Sequence, residues 1–196
     1  MIDFARVSKR LTVSCIAILI SLLVVLLIIY MILHTKHEHY YATNTMQFGS
    51  SKMPIFNLPT VSQPQIIVNE KAFKNKVTLI SVWSSRCRNY KKEHKVLLDI
   101  AKRLRGKRIN FVGLNSFDSQ EHAIEWLTVH GDPYDFSLFD QQGTLIADLG
   151  TTSLPDFLII DSYGYIQYRY SGTITQQVWE HNIRPILDMI YLGTAQ

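Results

Sequence analysis

The stretch from Val77 to His94, VTLISVWSSRCRNYKKEH, constrains the fold more than any other part of the chain. It opens with a short apolar run, Val77 to Trp83, rich in β-branched side chains, the pattern of a strand covered on both faces. A small-residue turn and Cys87 follow, then a segment with Tyr90, Leu97, Leu98, Ala101 and Leu104 at helical spacing that stops at Gly106. A cysteine at the start of a helix sits where free N–H groups and the positive end of the macrodipole favour a thiolate. Arg86, Arg88, Lys91 and Lys92 flank it, and these cations are expected to make Cys87 more acidic than a free thiol. A dithiol exchange site needs a second sulfur one helical turn on, to release the mixed disulfide that the first sulfur forms. The site here reads Cys87-Arg88-Asn89-Tyr90, so the attacking position is kept and the resolving one is lost.

The chain has one other cysteine, Cys15, inside the uncharged apolar run Leu11 to Leu33. At about 1.5 Å per residue this run spans roughly 34 Å as a helix, enough to cross a hydrocarbon core of about 30 Å. Arg6, Lys9 and Arg10 precede it and place the N-terminus on the cytoplasmic side. A cleaved signal peptide is the rival reading, but its apolar core would be about 7 to 15 residues long and end in a small-residue cleavage site, neither of which is present. The expected organisation is a cytoplasmic tail over 1–10, a transmembrane anchor over 11–33, a flexible linker over 34–52 and a folded domain over 53–196. No intramolecular disulfide is expected, because Cys15 would lie across the membrane from Cys87. His34, His37 and His39 in the linker invite a metal reading, yet no cysteine or paired carboxylate accompanies them, so they read as solvated and no metal site is assigned. The formal charge of +4 lies partly in the N-terminal tail and no aromatic-basic stripe follows, which argues against nucleic acid as a partner.

Beyond Gly106 the strand and helix signals keep alternating. Ile109 to Leu114 reads as a second buried strand, and two strands joined through a helix imply a parallel pair with a right-handed crossover. Asp118 with Glu121 has the pattern of a capping box before a helix carrying Ala123, Trp126 and Leu127, stopped by Gly131 and Pro133. Asp156 to Asp161 and Tyr165 to Ser171, separated by Ser162-Tyr163-Gly164, predict an antiparallel hairpin. A last helix is expected to start near Thr173, to carry Trp179, Ile183, Ile186, Leu187 and Ile190 on one face, and to bend at Pro185. A parallel βαβ half followed by a hairpin and a helix predicts an α/β, thioredoxin-like fold: a central mixed sheet flanked by helices, preceded by one transmembrane helix.

From about Pro54 to Ile190 the chain resembles the membrane-anchored thioredoxin-like proteins of cytochrome c maturation, the DsbE/CcmG type of thiol:disulfide interchange protein. The resemblance is carried by VWSSRC with KKEH, by WLTVHGDPYDFSLFDQQGTL, by DLGTTSLPDFLIIDSYGYIQYRYSG and by VWEHNIRPIL. It implies a reductant in the bacterial inner membrane, single-pass with its C-terminal domain in the periplasm. Such a protein takes electrons from a membrane thiol reductase and passes them to apocytochrome c or a maturation protein carrying it, with no cofactor of its own. Cys87 then matches the attacking cysteine, Leu154-Pro155 the cis-proline turn that receives an extended substrate, and Glu93 an acidic residue near the active site. Arg86, Arg88 and Tyr90 depart from the family pattern, standing where an aromatic residue, a proline and the second cysteine are usual.

Each of these residues also has a plainer reading. Cys87 could be an inert half-buried thiol, Pro155 merely the start of a strand, and Glu93 a helix-stabilising carboxylate; Trp83 and Trp126 read as core aromatics and Trp179 as a helix-face anchor. Two functions stay open on the sequence: monothiol exchange through Cys87, and a redox-inactive module that docks a maturation partner along the Pro155 edge.

Overall fold

The computed structural model describes residues 20–30, 45–87 and 90–193. It divides into two units, Met1–Tyr40 and Tyr41–Gln196. In the first, residues 20–30 form helix α1, with Leu23 and Leu26 among its exposed apolar side chains. Among the described residues no helix is long and apolar enough to cross a membrane. The rest of the expected anchor, with Cys15, lies outside the described residues, as do the tail over 1–10 and the three linker histidines.

The second unit begins with strands β1 (Thr45–Lys52), β2 (Asn57–Pro59), β3 (Ile67–Asn69) and β4 (Val77–Trp83). Helix α2 (Tyr90–Leu104), strand β5 (Ile109–Ser116), helix α3 (Gln120–His130), strand β6 (Phe136–Asp140) and helix α4 (Thr144–Asp148) follow. Strands β7 (Asp156–Ile160) and β8 (Tyr165–Ser171) lead into a closing helical stretch that begins as α5 (Gln176–Val178) and ends as α6 (Arg184–Gly193).

Strand β4 is buried along its whole length, as its unbroken apolar run requires. Because side chains alternate across a strand, β4 feeds two cores: Leu79 and Trp83 join the cluster built with Leu97, Ile100 and Leu187, whereas Ile80 and Val82 join Phe73, Leu145 and Ile146. Strand β5 runs parallel to β4, with Val77 opposite Ile109, and α2 makes the predicted connection between them. Strand β6 extends the parallel half, and the expected hairpin of β7 and β8 packs antiparallel on the other side of β4. The sheet order is β1-β8-β7-β4-β5-β6, with β2 and β3 paired separately. This is the mixed sheet flanked by helices that the sequence predicts.

Four features differ from the sequence reading. The segment Thr45–Lys52, expected to be part of a tether, pairs antiparallel with β8 and becomes the sheet's edge strand. Its sequence, TMQFGSSK, alternates only at Met46 and Phe48, too short a pattern to mark a strand; the edge of β8 supplies the partner. Helix α3 is capped by Ser119, whose hydroxyl accepts from the His122 N–H at 3.2 Å, and not by Asp118, which is committed elsewhere. The last helix is capped at Thr175, two residues later than expected. Pro185 is accommodated by a π-helical segment, Trp179–Ile183, in which the Arg184 N–H reaches back to the Trp179 carbonyl. Pro185 has no N–H to give to the carbonyl four residues earlier, and the widened turn absorbs the mismatch.

Candidate active site

The parallel strands β4, β5 and β6 all end at one edge of the sheet, where the antiparallel β7 begins. Cys87 emerges from β4 there, on a turn of Ser84, Ser85 and Arg86 closed by a hydrogen bond from the Cys87 N–H to the Ser84 carbonyl at 3.2 Å. Asp156, first residue of β7, pairs with Val82 near the end of β4. The peptide bond before it, Leu154-Pro155, is cis, as the resemblance implied, and lies level with the Cys87 turn. Leu154 is buried in one of the two core clusters against which half-buried Cys87 packs.

The turn is held by Asp118, just past the end of β5 and only 3% exposed. Its Oδ2 accepts from the Ser85 N–H at 2.6 Å, from Asn115 Nδ2 at 3.0 Å and from the Ser84 hydroxyl at 3.4 Å. Its Oδ1 accepts from the Ser85 hydroxyl at 2.8 Å and the Ser119 N–H at 3.0 Å. Across the site, the buried Asp156 accepts from the hydroxyls of Thr151 and Ser171 at 2.9 and 2.8 Å, with Arg169 Nε 3.7 Å away. Arg169 also donates to the carbonyls of Leu149 and Gly150, which ties β8 to the loop leading into Pro155.

The electrostatics overturn one expectation. Cys87 is not acidified; its thiol is pushed up from the ordinary 9.0 to about 11. Burial is the largest cause and the nearby Glu93 and Asp118 carboxylates add to it, while among the described residues a backbone hydrogen bond at Ser84 opposes them. Arg86 is exposed to solvent, and the side chains of Arg88, Asn89, Tyr90, Lys91 and Lys92 lie outside the described residues. Glu93 is buried, and loss of water raises its carboxyl from 4.5 to about 7, partly countered by a hydrogen bond from Thr173. The next residue, His94, is buried with its Nε2 2.7 Å from the Gly131 carbonyl, and desolvation lowers its pKa.

Trp83 is fully buried and stacks on Tyr134 with ring centroids 6.1 Å apart. Around Cys87 the structure brings Glu93, Leu154 and Asp118, with Thr173 hydrogen-bonded to Glu93; sequence reasoning missed Asp118 and Thr173. Asp118 was hidden by its resemblance to a helix cap; its place at the carboxyl end of a parallel strand, where sites gather in α/β sheets, was the available signal. No group of three metal-ligating side chains occurs among the described residues.

A cysteine at the end of the first parallel strand, with a cis-proline turn at the start of the neighbouring β7, is the arrangement of a thioredoxin-like fold. The chain belongs to the Redoxin family, whose model matches residues 49–185. It is 36% identical over 135 residues to the thiol:disulfide interchange protein DsbE of Tatumella citrea, covering 68% of this chain and 71% of that one. To DsbE of Escherichia coli K12 it is 34% identical over 145 residues, or 74% and 76% of the two chains. In fold it is similar to a secreted thiol-disulfide isomerase from Corynebacterium glutamicum, with a TM-score of 0.64 at 18% identity over 77% of this chain and 92% of that one. A DsbF homologue from Corynebacterium diphtheriae gives a TM-score of 0.63 at 18% identity, with 76% and 94% covered.

Proposed function

We propose that this protein exchanges thiols and disulfides through Cys87 alone, as a membrane-anchored, periplasmic member of the machinery that readies apocytochrome c for haem attachment. The observation that carries the reading is the placement of the Cys87 turn level with the cis Leu154-Pro155 turn at one sheet end. That arrangement lets the backbone of an extended polypeptide lie beside the sulfur, with the strand-end peptide groups as hydrogen-bonding partners. The Cys87 thiolate attacks one sulfur of a partner disulfide; a new S–S bond forms, and the other partner sulfur leaves as a thiolate and takes up a proton. With Tyr90 in the resolving position, an external thiol then attacks Cys87, releasing the reduced partner and leaving Cys87 joined to that thiol. A membrane thiol reductase supplies the two electrons that free both.

The raised pKa of Cys87 favours a second reading, a docking module with little turnover, because a thiol near 11 is about one part in ten thousand ionised at pH 7. Trapping of mixed disulfides in native membranes, with wild type compared with Cys87→Ser, separates the two. Exchange predicts partners that are covalently captured by the wild type and lost in the variant. If Cys87→Ser binds partners and supports cytochrome c assembly as well as the wild type, thiol chemistry is not the function.

A further inference from the structure

Asp118 is a buried carboxylate that the exchange chemistry does not itself use, and it sits at the point where two strands end. We propose that Asp118 is the positioning residue for Cys87, its carboxylate stapling the turn of Ser84 and Ser85 to the end of β5 so that the sulfur is held at the sheet edge. The proposal deepens the exchange reading of the same site and rests on Cys87 being its reactive atom.

Three independent features support the assignment. The two oxygens of Asp118 accept five hydrogen bonds, three from the turn and two from its own side, at Asn115 and Ser119. A lone N-cap needs one or two, and here Ser119 already caps α3. The residue before it, Phe117, holds a left-handed φ of 53°, a conformation that costs a non-glycine residue about 1 kcal/mol or more and persists where the surroundings fix it. The Phe117 ring lies over Gly143, where an added Cβ would come within 2.4 Å of the ring, so the β6–α4 turn braces Phe117 as Asp118 braces the turn. Finally, the staple acts close to the sulfur: Ser85 lies two residues before Cys87, and the Ser84 hydroxyl receives the Arg86 N–H at 3.4 Å as well.

Position and charge act together. Among the described residues, the carboxylates bearing on the thiol are Glu93 from α2 and Asp118 from the β5–α3 loop, while Arg86 on the turn is exposed. An anion held beside a half-buried sulfur disfavours the thiolate, so Asp118 holds the turn in place at a cost in thiolate. An amide would supply part of the same hydrogen bonding without the charge.

The test uses the full chain with Cys15→Ser, so that Cys87 alone reports, and reads alkylation rate against pH by iodoacetamide, with circular dichroism as a check on folding. Asp118→Asn is expected to lower the midpoint by about half a pH unit or more, a roughly threefold rise in thiolate at a pH below both midpoints. Asp118→Glu restores the charge and should restore the midpoint. The Ser84→Ala/Ser85→Ala pair keeps the charge and cuts the hydroxyl contacts; it should leave the midpoint in place but change the limiting rate and speed exchange of the backbone amide hydrogen at position 85. These outcomes together support positioning. If folded Asp118→Asn keeps the wild-type midpoint and the serine pair keeps the wild-type limiting rate, Asp118 is only a structural cap and the proposal is overturned; the serine pair alone decides the geometric half should Asp118→Asn not fold. Because alkylation needs no partner, a failure of the exchange reading would show in the trapping experiment and leave this readout intact.

Discussion

At the scale of single residues, the chemistry is set by what surrounds one sulfur. Burial and the Glu93 and Asp118 carboxylates raise its pKa, so alkylation of Cys87 should show a midpoint near 11. A midpoint below the free-thiol value of about 8.5 would mean that the cations win after all. Glu93 gives a second prediction with a definite sign. Its folded pKa is raised from 4.5 to about 7, so the stability it contributes is fully present below 4.5 and is lost as pH rises through 7. Glu93→Gln should therefore flatten the fall in stability between those values, a difference of up to about 3 kcal/mol in denaturant melts. It should also lower the Cys87 midpoint; melts of wild type and variant that fall in parallel across that range would refute the burial argument.

At the scale of elements, two local contacts are exposed to simple tests. Ser119 caps α3 in place of the sequence-favoured Asp118, so Ser119→Ala should cost about 1 kcal/mol in thermal or denaturant unfolding. No loss would return the capping role to Asp118. Gly143 combines a φ of 73° with a Phe117 ring that leaves no room for a Cβ. Gly143→Ala should thus cost about 2 kcal/mol and disturb the loop beside the active site, visible as a changed Cys87 alkylation rate. The closing helix shows why element boundaries were harder to read than element types. The apolar face of Trp179, Ile183 and Leu187 is plain in the sequence and is buried as expected. How the backbone would absorb Pro185, by a bend or by a π-helical turn, depended on keeping Trp179 and Ile183 both seated in the core.

At the scale of the whole molecule, the sheet order predicts a gradient of protection. Strands β4 and β5 lie inside the sheet and are buried throughout, whereas β1 is an edge strand whose side chains from Met46 to Lys52 are exposed. Amide hydrogen exchange should be slowest in β4 and β5 and markedly faster, though still slower than in an unstructured chain, in β1. Exchange in Thr45–Lys52 at unstructured rates would return that segment to the tether expected from its composition. Much of the fold was legible because its centre is written in unbroken apolar runs and helical periodicity: the β4–α2–β5 crossover, the β7–β8 hairpin and the α2 face need no partner to be recognised. The short elements α4 and β6 were not, because unlike β7 they lack an unbroken apolar run beside a turn signal to separate them from a loop. The sequence by itself determined the strand-turn-cysteine-helix unit and the missing second sulfur at Tyr90, since each is a matter of residue type and spacing. Only the tertiary structure decided the proton affinity of Cys87, the buried state of Glu93 and the work of Asp118, because desolvation and charge act through distances that the fold creates between residues far apart in the chain.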